Sequence, residues 1–340
     1  MTRIGVVGLG VMGKSHARIL DDLDQADLVA VCDPTEEAMA WAKKRRLTGY
    51  RSYKDLFEKE KLEAVTVAVP TRFHLEVGLA AIECGLQVMI EKPIATDLEE
   101  AQQLVAAAKR HGTILAVGHV ERFNPAVREL KKRLDRGELG RIFQVHSRRQ
   151  GPFPSRIRDV GAVIDLATHD LDVMRYLLGV EVTRLYAETE RRIHTEHEDM
   201  LNALLRFDNG AVGVMQVNWL TPTKIRELTV LGERGMIHLN YLTQDLTFYE
   251  NSTAIGAEPP LSLLTAVSEG KLVRYVVDRA EPLRLELESF LTSVSTKTPA
   301  EVGSEDGLHA LSLALDLVRS ANEGRVLDLA HDDRGRKSQS

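Results

Sequence analysis

Four groups of residues in this 340-residue chain have the types and spacing of a reaction centre. Gly8-x-Gly10-x-x-Gly13 follows an apolar run at 4–7 and opens an amphipathic stretch at 11–23. In that setting the glycines serve a phosphate. Gly8 permits a tight turn, Gly10 lets the backbone approach a pyrophosphate, and Gly13 allows close helix–strand packing. The helix start behind them, at Val11 and Met12, offers N–H donors and the positive end of a dipole. Asp33 stands 20 residues after Gly13, at the end of a second apolar run, 28–32. A carboxylate there accepts hydrogen bonds from both ribose hydroxyls and repels a 2′-phosphate. No Arg or Lys follows it at once (Pro34, Thr35, Glu36), so the expected cofactor is NAD rather than NADP. Glu91-Lys92-Pro93 follows the run at 87–90. Ligands of open α/β sheets bind beyond the carboxyl ends of the strands, which sets Lys92 beside a nicotinamide. Asp165 and His169 stand at i and i+4 within GAVIDLATHDLDVMRYLL and share one helix face. An imidazole with a pKa of about 6.5 suits proton exchange at neutral pH. Asp170 and Asp172 point elsewhere and read as solvated or structural groups.

The elements that must hold these groups alternate through the first third of the chain. Apolar runs at 4–7, 28–32, 65–69, 87–90 and 114–117 are separated by helical stretches at 11–23, 36–46 and 72–84. A further helix opens at a capping box, Thr96-x-x-Glu99, and stops at Lys109-Arg110-His111-Gly112. This βαβα order predicts a parallel sheet with helices on both faces. The pattern changes near Phe123. A helix at 126–134 precedes segments of period 2, and Asp208-Asn209-Gly210 separates 201–207 from 211–219 as a hairpin turn would. A glycine-flanked turn at 232–235 separates two more strands, and helices return at 282–294 and 305–322. The expected fold is α/β. A Rossmann-type domain at 1–122 precedes an α+β domain at 123–330, built on a largely antiparallel open sheet. A solvated, disordered tail follows at 331–340.

Composition bounds what such a protein does. With 44% apolar and 28% charged residues the chain is neither disordered nor collagen-like. A formal charge of −6 recruits neither nucleic acid nor an anionic membrane. The Lys43-Lys44-Arg45-Arg46 run reads as a solvated helix end that complements the dipole. Cys32 and Cys84 are the two cysteines and fit a reducing compartment. No apolar run approaches the roughly 18 residues of a membrane span. The basic-then-apolar opening has no small-residue cleavage site, so a cytoplasmic protein is expected. His194-x-x-His197, beside Glu198 and Asp199, has no third ligand of firm spacing, and no metal is expected.

GVVGLGVMG, then EKP, then the DxxxH helix resemble, in order and spacing, the glucose-fructose oxidoreductase / inositol dehydrogenase / MocA (Gfo/Idh/MocA) family. The resemblance covers nearly the whole chain. It implies NAD-dependent oxidation of a secondary alcohol, with Lys92, Asp165 and His169 as the catalytic groups. It implies a cis Lys92–Pro93 bond. It also puts Thr71 and His74 at the nicotinamide ribose, beside Gly8, Gly10, Val11, Met12, Gly13, Asp33, Glu91 and Lys92 as cofactor contacts. It further implies a homodimer or homotetramer assembled through the C-terminal sheet. Within the family, residues 118–127 (GHVERFNPAV) and 147–161 (SRRQGPFPSRIRDVG) are similar to sugar-nucleotide dehydrogenases, the UDP-N-acetylglucosamine 3-dehydrogenases above all. That likeness implies oxidation of the 3-hydroxyl of a UDP-N-acetylhexosamine. His119, Arg122, Asn124, Arg148 and Arg156 would then contact substrate together with Asp165 and His169. Arg148, Arg149, Arg156 and Arg158 crowd into eleven positions. Such forks match a diphosphate bidentately; they also suit strand positions that face solvent or interface carboxylates. His119 ends another parallel strand and is read either as a ligand contact or as packing. A free-sugar or inositol dehydrogenase and a non-catalytic NAD-sensing regulator are the alternative functions. The joint presence of Lys92, Asp165 and His169 favours an enzyme.

Overall fold

The computed structural model describes residues 1–154, 160–193, 196–251 and 269–329. They divide into two compact units, Met1–Phe123 with Ala280–Ser312, and Asn124–Arg279 with the chain from Leu313 onward.

The first unit alternates as expected: β1 (Thr2–Val7), α1 (Val11–Asp22), β2 (Ala26–Cys32), α2 (Glu36–Lys44), β3 (Thr48–Tyr50), α3 (Tyr53–Lys59), β4 (Ala64–Val67), α4 (His74–Glu83), β5 (Gln87–Glu91), α5 (Leu98–His111) and β6 (Leu115–Gly118). The short β3 and α3 were not expected, because three and seven residues hold too little periodicity to read. Among the described residues the sheet has the order β3-β2-β1-β4-β5-β6, every pair parallel. Strand order therefore reverses between β1 and β4, the crevice where Rossmann-type sheets take their ligand. Ile4, Val6, Ala64, Val65 and Val67 are fully buried, as strands covered on both faces must be.

One local expectation shifts. The cap of α5 is Asp97, which accepts from the Glu100 N–H at 2.9 Å, while Thr96 bonds the Glu100 carboxylate. The box therefore sits one residue later than Thr96-x-x-Glu99. Gly112 closes the helix in the left-handed region, φ 66°.

The larger difference concerns α8 (Pro282–Thr296), which the sequence placed in the domain at 123–330. Its Leu283, Leu287, Phe290 and Leu291 fall on one helical stripe and join Ala17, Ile19 and Leu20 of α1 in the first unit's core.

The second unit holds α6 (Pro125–Asp135), β7 (Ile142–Pro152), α7 (Thr168–Leu178), β8 (Val182–Glu190), β9 (Met200–Phe207), β10 (Val212–Asn218), β11 (Leu220–Gly232), β12 (Gly235–Asn240), β13 (Asp245–Asn251), β14 (Glu269–Tyr275) and β15 (Leu327–Asp328). The helix α9 (Ser304–Glu323) supplies residues to both units. Among the described residues the strand order is β14-β13-β12-β11-β7-β10-β9-β8-β15, with β7 and β10 the parallel pair and the rest antiparallel. Both predicted hairpins form, with Gly210 at φ 84° in the first. Along β9, Leu201, Ala203, Leu205 and Phe207 are buried and their neighbours are not, the period-2 signature of a half-covered sheet. Among the described residues no helix is long and apolar enough to cross a membrane.

Candidate active site

Each unit carries one set of functional groups. In the first unit, the turn after β1 is built on glycine. Gly8 has φ 94°, and a Cβ there would lie 2.5 Å from the Ala68 carbonyl oxygen. A Cβ on Gly13 would lie 1.7 Å from the Gly8 oxygen, so α1 can pack onto the turn only without one. Gly10 is different, since a Cβ there meets nothing within 4 Å. Its absence keeps open the approach to the start of α1, where Gly10 supplies no capping side chain and Val11 is exposed. First-turn N–H groups of this kind suit an anion. Met12 packs partly against the core.

Asp33 closes β2 and braces this turn. Its Oδ2 accepts from the Leu9 N–H at 2.8 Å, and its Oδ1 accepts from the Thr35 N–H at 2.9 Å and hydroxyl at 2.7 Å. These bonds orient the carboxylate, which is half-exposed. Its neighbour Cys32 is a packing group; burial, then the charges of Asp33 and Asp55, push the thiol up to about 12.

The Lys92 turn is held from three sides. The Lys92–Pro93 bond is cis and Lys92 is half-buried. Glu91 ends β5; its Oε2 accepts from the Lys92 N–H at 3.3 Å and its Oε1 lies 2.9 Å from Nε2 of the fully buried His16. Burial works to raise the Glu91 carboxyl, but the His16 hydrogen bond and the charges of His16 and Lys92 hold it below the usual carboxylate range. His74, buried at the start of α4, sets Nδ1 2.9 Å from the Pro93 carbonyl oxygen and Nε2 3.0 Å from that of Val69. Burial pushes its imidazole below the usual histidine range, so a neutral ring donates to one carbonyl at a time. Both ring nitrogens thus face the unit's own backbone, and His74 ties the loop after β4 to the Lys92 turn. Thr71, in that loop, is buried. His119 follows β6 and is also buried.

Two residues expected at the substrate are engaged inside their units. Arg122 is buried and pairs with Asp306 at 2.8 Å. Asn124 is buried too. Its Oδ1 caps α6 through the Ala126 N–H at 3.1 Å, and its Nδ2 donates to the Tyr241 carbonyl at 3.1 Å.

In the second unit, Asp165 lies in a π turn, Val163–Ala167, that runs directly into α7, where His169 is the second residue. Across residues 161–175 these two alone are not buried. Asp165 and His169 are thus the residues of this segment that keep partial exposure. Asp170 and Asp172 are buried rather than solvated. Asp170 accepts two 3.0 Å hydrogen bonds from Arg149, which is itself buried and lies 5.1 Å from the Tyr241 ring. Arg148 reaches Glu227 at 3.3 Å. The described half of the arginine cluster is thus met by carboxylates of the same unit. Arg156 and Arg158, like His194, lie outside the described residues.

Residues 2–119 match the family described as "Oxidoreductase family, NAD-binding Rossmann fold", and residues 127–238 match the "GFO/IDH/MocA C-terminal domain". The chain belongs to the Gfo/Idh/MocA family. A UDP-N-acetylglucosamine 3-dehydrogenase from Acidithiobacillus ferrooxidans is 28% identical over 94% of this chain and 97% of its own. Its solved structure superposes with a TM-score of 0.83 at 25% identity, covering 95% of this chain and 98% of that one. A myo-inositol dehydrogenase from Streptomyces leeuwenhoekii is 31% identical over 95% of this chain and 98% of its own. This Gfo/Idh/MocA protein is an NAD-binding oxidoreductase, and the glycine turn, the α1 start and the oriented Asp33 fit that cofactor.

Two residues escaped the sequence reading. His16 is a histidine on the buried face of α1, a position that demands a polar partner. Glu198 had been weighed only as a metal ligand. The helical segment beginning at Ala162 follows Val160 and Gly161, neither of which can cap it, and that was the available signal.

Proposed function

We propose that the protein is an NAD-dependent dehydrogenase that oxidises a secondary hydroxyl of a sugar to a ketone, with a UDP-N-acetylhexosamine 3-hydroxyl as the substrate group. The observation that carries the chemistry is the pairing of Asp165 and His169 as the non-buried residues of an otherwise buried segment. Gly8, Gly10, Val11, Met12, Gly13 and Asp33 hold the cofactor's pyrophosphate and ribose, with Thr71 and the Glu91-Lys92 turn toward the nicotinamide end. NAD held there would supply the hydride acceptor for the carbinol carbon. His169 takes the hydroxyl proton on a ring nitrogen. Asp165 orients that ring and supports its positive charge. The Lys92 ammonium donates to the hydroxyl oxygen and offsets the negative charge that develops there. Glu91, His16 and His74 fix the turn from which Lys92 projects.

Likeness to the Acidithiobacillus enzyme supports the nucleotide-sugar substrate. A free sugar or an inositol is the second reading, and a specific observation favours it: Arg148 and Arg149 are matched by Glu227 and Asp170 and are not reserved for a diphosphate. Assembly as a homodimer or homotetramer through the second unit's sheet belongs to the proposal. Gln144, His146, Arg148 and Gln150 on β7 are half-exposed and alternate with buried neighbours, which supports it.

The test is NADH formation with NAD and UDP-N-acetylglucosamine, UDP-glucose, myo-inositol or glucose, with a carbonyl trap to draw the ketone off. Turnover of the UDP sugars alone supports the first substrate; turnover of the free polyols supports the second. His169→Ala should lower kcat by about 10²–10⁴-fold and leave NAD binding intact. Unchanged turnover would remove His169 from the chemistry.

A further inference from the structure

We propose that Glu198 is a positioning residue for the reaction: it caps, from a distant part of the chain, the helical segment that presents Asp165 and His169. The proposal rests on the reading of those two residues as reacting groups. The Ala162 N–H donates to the Glu198 carbonyl oxygen at 2.9 Å, and the Val163 N–H donates to its Oε1 at 3.1 Å. These are the first two N–H groups of the segment, and a helix start leaves such donors without intrahelical partners. The carboxylate also sits at the positive end of the segment's dipole. Glu198 is 8% exposed, so water does not replace it easily.

Gly161 makes the contact sterically exclusive. A Cβ there would lie 2.1 Å from Oε1 and 2.5 Å from Oε2 of Glu198. The carboxylate therefore rests directly against the Gly161 backbone, whose carbonyl accepts from the Asp165 N–H at 3.0 Å. The next residue locks the clamp to the sheet. Asp199 is fully buried; its Oδ2 accepts from the Arg192 N–H at 2.5 Å and the Ile193 N–H at 2.6 Å. Its own N–H donates to the Glu190 carbonyl at 2.8 Å, and its carbonyl accepts from the Trp219 N–H at 2.9 Å. Glu198 and Asp199 thus spend their carboxylates on backbone N–H groups.

The π turn explains why a firm start matters. Such a turn accommodates one extra residue in a helix, and its loss rotates everything before it by about 100°. Asp165 lies inside the turn and His169 lies after it. Releasing the N-terminal end lets Asp165 turn away from His169 while α7 itself stays helical.

The test uses the full-length protein, on whichever substrate of the panel it turns over, with kcat expressed per NAD-binding site. Glu198→Ala should lower kcat by about 10²-fold, the scale of a misplacement of roughly 1 Å at a reacting group. NAD affinity should change less than about twofold, because the residues proposed to hold NAD are braced by Asp33 and Glu91 rather than by Glu198. Glu198→Gln keeps an oxygen acceptor for the Val163 N–H and should retain kcat to within about threefold. Gly161→Ala displaces the carboxylate without removing it and should reproduce the loss; it decides the matter if Glu198→Ala does not fold. The proposal is overturned if Glu198→Ala and Gly161→Ala keep wild-type kcat while His169→Ala loses it. It is also overturned if Glu198→Gln falls as far as Glu198→Ala, since charge rather than capping would then be at work. Wild-type turnover in His169→Ala would instead overturn the functional reading beneath it.

Discussion

Replacing Asp33 separates two jobs that one carboxylate performs. Within the protein it accepts from the Leu9 N–H, the Thr35 N–H and the Thr35 hydroxyl. Thr35 is exposed, so water takes over its two donors in Asp33→Ala. Leu9 is 2% exposed and its N–H would be stranded, at a cost of about 1–3 kcal/mol in stability. The second job is to accept from the ribose. A hydrogen bond to a charged group contributes about 1.5–3 kcal/mol, so losing one weakens NAD by roughly 10- to 150-fold. Asp33→Asn keeps an oxygen for Leu9 and loses the charge. It should cost under about 1 kcal/mol in the absence of NAD yet still weaken NAD several-fold. Thermal melts without NAD and calorimetric titration with NAD read the two quantities separately. If both variants bind NAD as the wild type does, Asp33 is only a turn former and the ribose assignment is wrong.

Arg149→Met should destabilise the second unit by about 3–5 kcal/mol, because it leaves the buried Asp170 carboxylate without its guanidinium. Adding Asp170→Leu should recover much of that loss in a chemical denaturation series, and no recovery would show that the pair is not what matters there. The third expectation concerns pH. Burial holds the folded His74 pKa below its ordinary value of 6.5, so the unfolded chain binds the extra proton first and stability falls as pH drops below that value. Glu91, whose folded pKa is depressed below 4.5, adds its own loss only at lower pH. His74→Gln should therefore flatten the dependence of Tm on pH between about 7 and 5; an unchanged slope would mean that folding does not shift the His74 pKa.

Much of the candidate site was legible because its signals are local. The Gly8-x-Gly10-x-x-Gly13 turn, the run to Asp33 and the i,i+4 pair Asp165 and His169 each depend on backbone sterics or helix geometry over a few residues. The internal partners of Arg122 and Asn124 were not legible. Both stand in a stretch that resembles a substrate loop, and their partners Asp306 and Tyr241 lie 184 and 117 residues away. Arg148 and Arg149 read alike in the sequence, yet strand alternation leaves Arg148 half-exposed and buries Arg149 against Asp170. Glu198 looked like part of a metal-type cluster because its composition was visible and its geometry was not.

Sequence alone determined the alternation of the first unit, the cofactor class and the two hairpins of the second. Those properties follow from periodicity, glycine and short spacings, which act within one element or one turn. Tertiary structure decided which polar groups are matched inside the protein. It returned α8 to the first unit, set His16 against Glu91 and placed Glu198 at the start of the Asp165 segment. The physical reason is that a buried polar group must find a partner wherever packing brings one, and packing is settled by the whole core rather than by neighbours in the chain.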